Sequence, residues 1–155
     1  MLWNRPSAEL SVEHEGQEIS AEQILGIVQK TGSQASLGEG KGRYLPLPQF
    51  PANADVRWVV NKGQRAELEP EIVAGKYTVF DFYAEWCGPC RVLDQHLIET
   101  MKSRPDIALR KINIVDWDSP VSAQHLSTAK GLPYLLVYGP HGKQVDTVSG
   151  LEIPR

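Results

Sequence analysis

Cysteine is scarce in this chain, with two in 155 residues. A small secreted scaffold held by disulfides needs more cysteines, spread along its length, so that class is excluded. Long apolar runs are also missing. None approaches the roughly 20 residues of a membrane-spanning helix. The opening Met1-Leu2-Trp3-Asn4-Arg5-Pro6 lacks the apolar stretch of a secretory signal. No block of like charge occurs, and the formal net charge is -3, which offers no basic surface to a nucleic acid. There is no internal repeat. His14, His96, His125 and His141 stand at no zinc-like spacing from the cysteines, and no second cysteine pair exists to complete a site. Gly38-Glu39-Gly40-Lys41-Gly42 is rich in glycine but lacks the phosphate-loop spacing and follows no strand. With 41% hydrophobic and 23% charged residues, the composition is that of a soluble globular domain with a real core.

The chain divides into two regions of different character, an extension over 1–54 and a domain over 55–155. In the extension, 10–14 reads as a short strand leading to a turn at Gly16. Ser20 and Gln23 fit a capping box, and Ile19 and Ile24 a hydrophobic staple. A helix over about 21–30 follows, with Ile24, Ile27 and Val28 on one face and Gly32 as its stop. The segment 33–43 reads as a loop, and Pro46, Pro48 and Pro51 make an extended connector.

The second region alternates two periodicities. Strands are expected over 57–60, 77–83, 107–115, 133–138 and 144–148. Helices are expected over 64–74, interrupted by Pro70, from Cys90 to about 103, and over 122–130. The apolar stripe of the second of these runs through Val92, Leu93, His96, Leu97 and Met101. Strands alternating with helices and closed by a hairpin at 139–142 predict an α/β fold with a mixed sheet.

The chemistry is concentrated at Trp86-Cys87-Gly88-Pro89-Cys90, where a strand hands over to a helix. The first cysteine falls near the helix N-terminus. Unpaired N–H groups and the positive end of the helix dipole favour a thiolate there. The thiolate is the attacking species in disulfide exchange. The second cysteine, one turn later, is placed to resolve a mixed disulfide. A bridge between them closes too small a loop to stabilise the fold much, so the pair is chemical rather than structural.

The run 81–90, Asp-Phe-Tyr-Ala-Glu-Trp-Cys-Gly-Pro-Cys, closely resembles the active-site segment of the thioredoxin family. The resemblance continues in Lys111-Ile112-Asn113-Ile114 and Gly131-Leu132-Pro133, and spans about two thirds of the chain. It implies the thioredoxin fold, a mixed central sheet flanked by helices. It makes Cys87 the attacking thiol and Cys90 the resolving one. Asp81 matches the buried carboxylate that relays the proton of the resolving cysteine, and Lys111 matches its partner. Pro133 matches a cis proline facing the disulfide. Trp86, Gly88, Pro89, Leu132 and Gly150 match the groove that receives substrate. Two departures stand out: Tyr83 where thioredoxins usually have tryptophan, and Gln95 where they have the proline that kinks the helix. The family also carries a final helix beyond the last strand, whereas this chain ends at Arg155. The helix over 21–30 is expected to pack on the domain, and in the sharper form of that expectation to take the missing helix's place.

The resemblance implies a thiol–disulfide oxidoreductase that reduces substrate disulfides, working without a cofactor or metal. Its partners would be protein disulfides and an upstream electron donor. Neither nucleic acid nor membrane span is expected, and the protein is expected to be a monomer. A disulfide oxidase or isomerase, or a non-catalytic binding module on the same fold, are the alternatives. A periplasmic setting is favoured over a cytoplasmic one.

Overall fold

The computed structural model describes residues 2–4, 9–11, 19–32, 35–37 and 48–150. The chain divides into two units, Met1–Leu47 and Pro48–Arg155.

In the first unit, two strands, β1 (Leu2–Asn4) and β2 (Glu9–Ser11), pair antiparallel. The sequence reading placed a strand near β2 and missed β1; the expected turn at Gly16 lies outside the described residues. Helix α1 (Ala21–Lys30) starts where its capping box predicts. Gln23 N–H donates to Ser20 Oγ at 3.2 Å, and Ser20 N–H donates to Gln23 Oε1 at 2.7 Å. Two of the N–H groups at the helix start are thereby satisfied. Gly32, with φ 83°, turns the chain out of the helix. Ile24 and Val28 are half-buried and Ile27 is 57% exposed.

The second unit is built on a five-stranded sheet in the order β3-β5-β4-β6-β7. The strands are β3 (Asp55–Val60), β4 (Tyr77–Tyr83), β5 (Ile107–Asn113), β6 (Tyr134–Tyr138) and β7 (Gln144–Ser149). The first three run parallel, and β6 and β7 close the sheet antiparallel. In β4 only Tyr77 is exposed, and β5 is buried at every residue. That is why β4 is a near-continuous apolar and aromatic run broken by Thr78 and Asp81, and why the charges of β5, Arg110 and Lys111, are paired with carboxylates.

Each face of the sheet has its own core. On one side, Val79, Leu109 and Leu135 pack against Leu93, Leu97 and Met101 of α2 (Gly88–Ser103), with Phe50 and Ala54 alongside. On the other, Phe80, Phe82, Ile112 and Tyr134 pack with Val121 and Leu126, in and just after α3 (Pro120–His125). Both cysteines belong to this second cluster.

Several expected elements change length. The helix expected over 64–74 shrinks to a 3-10 turn at Glu69–Glu71, with Pro70 in its first turn. Proline supplies no N–H to carry a helix further. Strand β5 ends two residues early, because Val115 has φ 64° and leaves the extended conformation. Helix α3 starts earlier than expected: the Ser119 hydroxyl accepts from Ser122 N–H, and Pro120 takes the first turn. The loop after β3 lies against this start, with Gly63 C=O accepting from Val121 N–H at 3.0 Å. Gly63 has φ 69°, and a Cβ there would come within 2.9 Å of Ser119 Cβ, so only glycine fits.

Candidate active site

Strand β4 delivers the chain to the edge of the sheet, where Ala84, Glu85 and Trp86 form the turn into α2. Cys87 caps that helix, with φ -82° and ψ 99°, and its Sγ accepts a hydrogen bond from Cys90 N–H at 3.1 Å. This sulfur therefore sits on the unpaired N–H groups of a helix start, where negative charge is favoured. Pro89 occupies the first turn of the helix, where its missing N–H costs nothing. Cys87 and Cys90 are joined in a disulfide, and both are buried, with 4% and 1% of their surfaces exposed. In the oxidised form the two cysteines are thus almost equally buried.

Between α2 and the sheet lies a buried ionic cluster. Lys111 Nζ donates to Asp81 Oδ2 at 2.6 Å and to Asp94 Oδ1 at 2.5 Å. None of the three side chains has more than 2% of its surface exposed. Lys111 Nζ also lies 4.3 Å from the centre of the Tyr83 ring. Burial pushes the Lys111 ammonium down, but the charges of Asp81 and Asp94 outweigh it and hold the ammonium above its ordinary range. For Asp94 the balance is opposite. Burial dominates, with help from the charge of Asp81, and raises its carboxyl despite Lys111. Asp81 Oδ1 is buried with no hydrogen-bond partner among the described residues.

Asp94 was not among the expected site residues. The stripe read from the sequence included His96, but His96 is exposed and Asp94 takes the inward position. It stands four residues after Cys90, so the two occupy the same helix face. The available signal was a carboxylate in register with Cys90, Leu97 and Met101, all of which turn toward the sheet.

The remaining expected residues surround the disulfide end of the sheet. The Leu132–Pro133 peptide is cis and Pro133 is fully buried. Pro133 C=O accepts from Gly150 N–H at 2.8 Å, which brings the loop before β6 to the residue after β7. Leu132 packs against the cluster that contains both cysteines. Trp86 is 36% exposed, and its indole N–H donates to Val115 C=O at 2.6 Å. Gly88 and Pro89 are half-buried.

Comparison with known proteins meets this geometry at the same place. The thioredoxin family model matches residues 59–153. The chain belongs to the thioredoxin family. It is 33% identical over 87 residues to a thioredoxin of Chlamydia caviae, covering 56% of this chain and 81% of the relative. It is 34% identical over 80 residues to a thioredoxin of Chlamydia pneumoniae, covering 52% and 74%. A solved mutant thioredoxin from Halobacterium salinarum superposes with a TM-score of 0.48 at 26% identity, covering 67% of this chain and 85% of that one. As a thioredoxin-family protein with an intact cysteine pair, this chain is a thiol–disulfide oxidoreductase, and Cys87–Cys90 is its redox centre.

Proposed function

We propose that this protein reduces disulfides in protein substrates, with Cys87 as the nucleophile, Cys90 as the resolving thiol and Asp81, paired with Lys111, as the acceptor of the Cys90 proton. The observation that carries the reading is the placement of Cys87 as the cap of α2, one turn from a second cysteine on a helix that also contributes Asp94 to a buried carboxylate–ammonium cluster.

The reduced protein acts in two steps. Cys87 thiolate attacks one sulfur of the substrate disulfide; an S–S bond forms to Cys87, the substrate bond breaks, and one substrate thiolate leaves. Cys90 then gives its proton to the buried carboxylate and attacks Cys87 Sγ. The intramolecular disulfide forms and the second substrate thiolate departs. The substrate has gained two electrons and the pair has lost them. An upstream dithiol donor restores the reduced state by the reverse exchange. Trp86, Gly88, Pro89, Leu132, Pro133 and Gly150 form the rim on which an extended substrate segment is held, and the protein acts as a monomer.

Insulin reduction driven by a small dithiol tests this directly. Wild type should turn over, Cys87→Ser should be inactive, and Cys90→Ser should accumulate a mixed disulfide with its substrate. Activity retained in Cys87→Ser overturns the assignment. The direction of electron flow is read from the reduction potential of the pair. A value below about -230 mV, the side of the scale where thioredoxins themselves lie, supports a reductant. A value near about -120 mV would make the protein an oxidant instead.

A further inference from the structure

The buried cluster contains one carboxylate more than the proposed mechanism uses. A single Asp81–Lys111 pair is neutral when both groups are ionised, and taking up a proton would leave it with a buried positive charge. With Asp94 ionised as well, the cluster carries a net charge of minus one. Taking up a proton then removes a buried charge instead of creating one. In a low-dielectric setting that difference weighs heavily.

The geometry fits such a unit. Lys111 Nζ is held by Asp81 Oδ2 from β4 and Asp94 Oδ1 from α2, so the ammonium is clamped from two elements. Asp94 is one helical turn beyond Cys90 on the same face, where residues four apart have Cβ atoms about 5–6 Å from each other. Asp81 keeps one oxygen, Oδ1, without a partner among the described residues, and a proton can reside there. The other titratable or charged groups around the cluster are Tyr83 of β4 and Arg91 of α2, which both interact electrostatically with it. Two carboxylates sharing one ammonium titrate as a coupled system, with steps that belong to the set rather than to either residue.

We propose that Asp94 is a positioning residue for proton transfer from Cys90: it clamps Lys111 against Asp81 and turns the buried proton acceptor from a neutral pair into a three-residue unit with room for one proton. This rests on the oxidoreductase reading given above and concerns how its second step is served. Asp94 raises the proton affinity of the acceptor, and so strengthens the base that draws the proton from Cys90.

The test combines carboxyl-carbon NMR titration of the reduced wild type with pH profiles of disulfide reduction for wild type, Asp94→Asn and Asp81→Asn. In wild type, Asp81 and Asp94 should share two coupled steps, the upper one above the usual carboxylate range. Asp94→Asn, nearly identical in shape, should leave a single Asp81 step shifted down by at least one pH unit. That is a tenfold loss of proton affinity. Its rate at neutral pH should fall about threefold, and the acid limb of the profile should move to lower pH by the same amount as the NMR step. An Asp81 step that stays where it was in Asp94→Asn overturns the inference, as does an Asp94 that titrates independently in wild type. Slow turnover in Asp81→Asn with an unchanged profile in Asp94→Asn would sink the role of Asp94 while leaving the oxidoreductase reading standing. Loss of that reading shows separately, as activity in Cys87→Ser. If Asp94→Asn does not fold, the wild-type titration alone decides.

Discussion

Arg110 and Lys111 are neighbours in β5, and the pleat sends them to opposite faces of the sheet. Each is a cation with at most 5% of its side chain exposed, held by two carboxylates. Arg110 Nη1 meets Asp55 at 2.9 Å and its Nε lies 3.6 Å from Glu71. Those carboxylates are 31% and 20% exposed, and they also bind Lys76 and Arg57. Three cations and two anions thus share a site that water reaches. Around Lys111 the count is one cation to two anions, with no carboxylate more than 2% exposed. Similar residue types on one strand therefore do different work. Solvent makes the first cluster a fastening at the edge of the sheet, where charge costs little. Its absence makes the second a place where gaining or losing a proton is a large event.

The titration of the two sites differs in sign. Burial is the largest single influence on the Asp55 carboxyl and raises it, but the hydrogen bonds and charges of Lys76 and Arg110 together outweigh it and lower the carboxyl overall. The Asp94 carboxyl is raised, by burial first. A lowered carboxyl contributes stability that is present above its unfolded value and lost as pH falls through the native one. A raised carboxyl contributes stability that is present below its unfolded value and lost as pH rises through the native one.

The sharpest way to break the comparison is to remove each cation. Lys111→Met strands two carboxylates in a dry site and should cost about 3–5 kcal/mol in urea unfolding. A cost below about 1 kcal/mol would mean that water enters the cluster freely. Arg110→Met leaves Asp55 and Glu71 with Lys76, Arg57 and solvent, and should cost less, about 1–2 kcal/mol. Equal losses in the two variants would erase the distinction drawn here. A subtler test follows stability against pH. The difference between wild type and Asp94→Asn should shift against wild type as pH rises from about 4. For Asp55→Asn the wild-type advantage should instead shrink as pH falls below about 4. Parallel curves would contradict the assigned signs. The smallest effect is the control: Lys102 and Glu99 form an exposed pair within α2, and Lys102→Ala should change stability by less than about 0.5 kcal/mol.

Much of this was legible in the sequence because its signals are local. The Ser20–Gln23 box marked the start of α1, the β-branched and aromatic run at 77–83 marked β4, and the spacing of Cys87 and Cys90 marked the site. What escaped depends on distant partners. Asp94 is polar, so a search for an apolar stripe passed over it and admitted His96, which turns outward. Its burial makes sense only once Lys111 arrives from β5, 17 residues away. The helix expected over 64–74 had suitable residues, but the chain there is drawn into an irregular path. Ala66 N–H donates to Gln124 Oε1 and Ala66 C=O contacts His125 Nε2, both more than 50 residues on. No local pattern reports such contacts. The length of α3 was misjudged for a related reason: its start is fixed by the Ser119 hydroxyl and the loop at Gly63, outside the apolar periodicity.

Asp81 and Lys111 are direct partners in the parallel pairing of β4 with β5. A slip of one residue between the two strands would turn one of them over, because successive side chains point to opposite faces. Such a slip would set Ile112 opposite Asp81 in one direction and Arg110 in the other, although the guanidinium of Arg110 has its own carboxylates, Asp55 and Glu71, on the other face. With Ile112 in that place, Asp81 and Asp94 would be buried without a cation, at a cost of several kcal/mol. The three charged groups therefore also disfavour at least that misalignment of the two central strands. A protein that lost them to apolar residues could gain in stability and still assemble less faithfully.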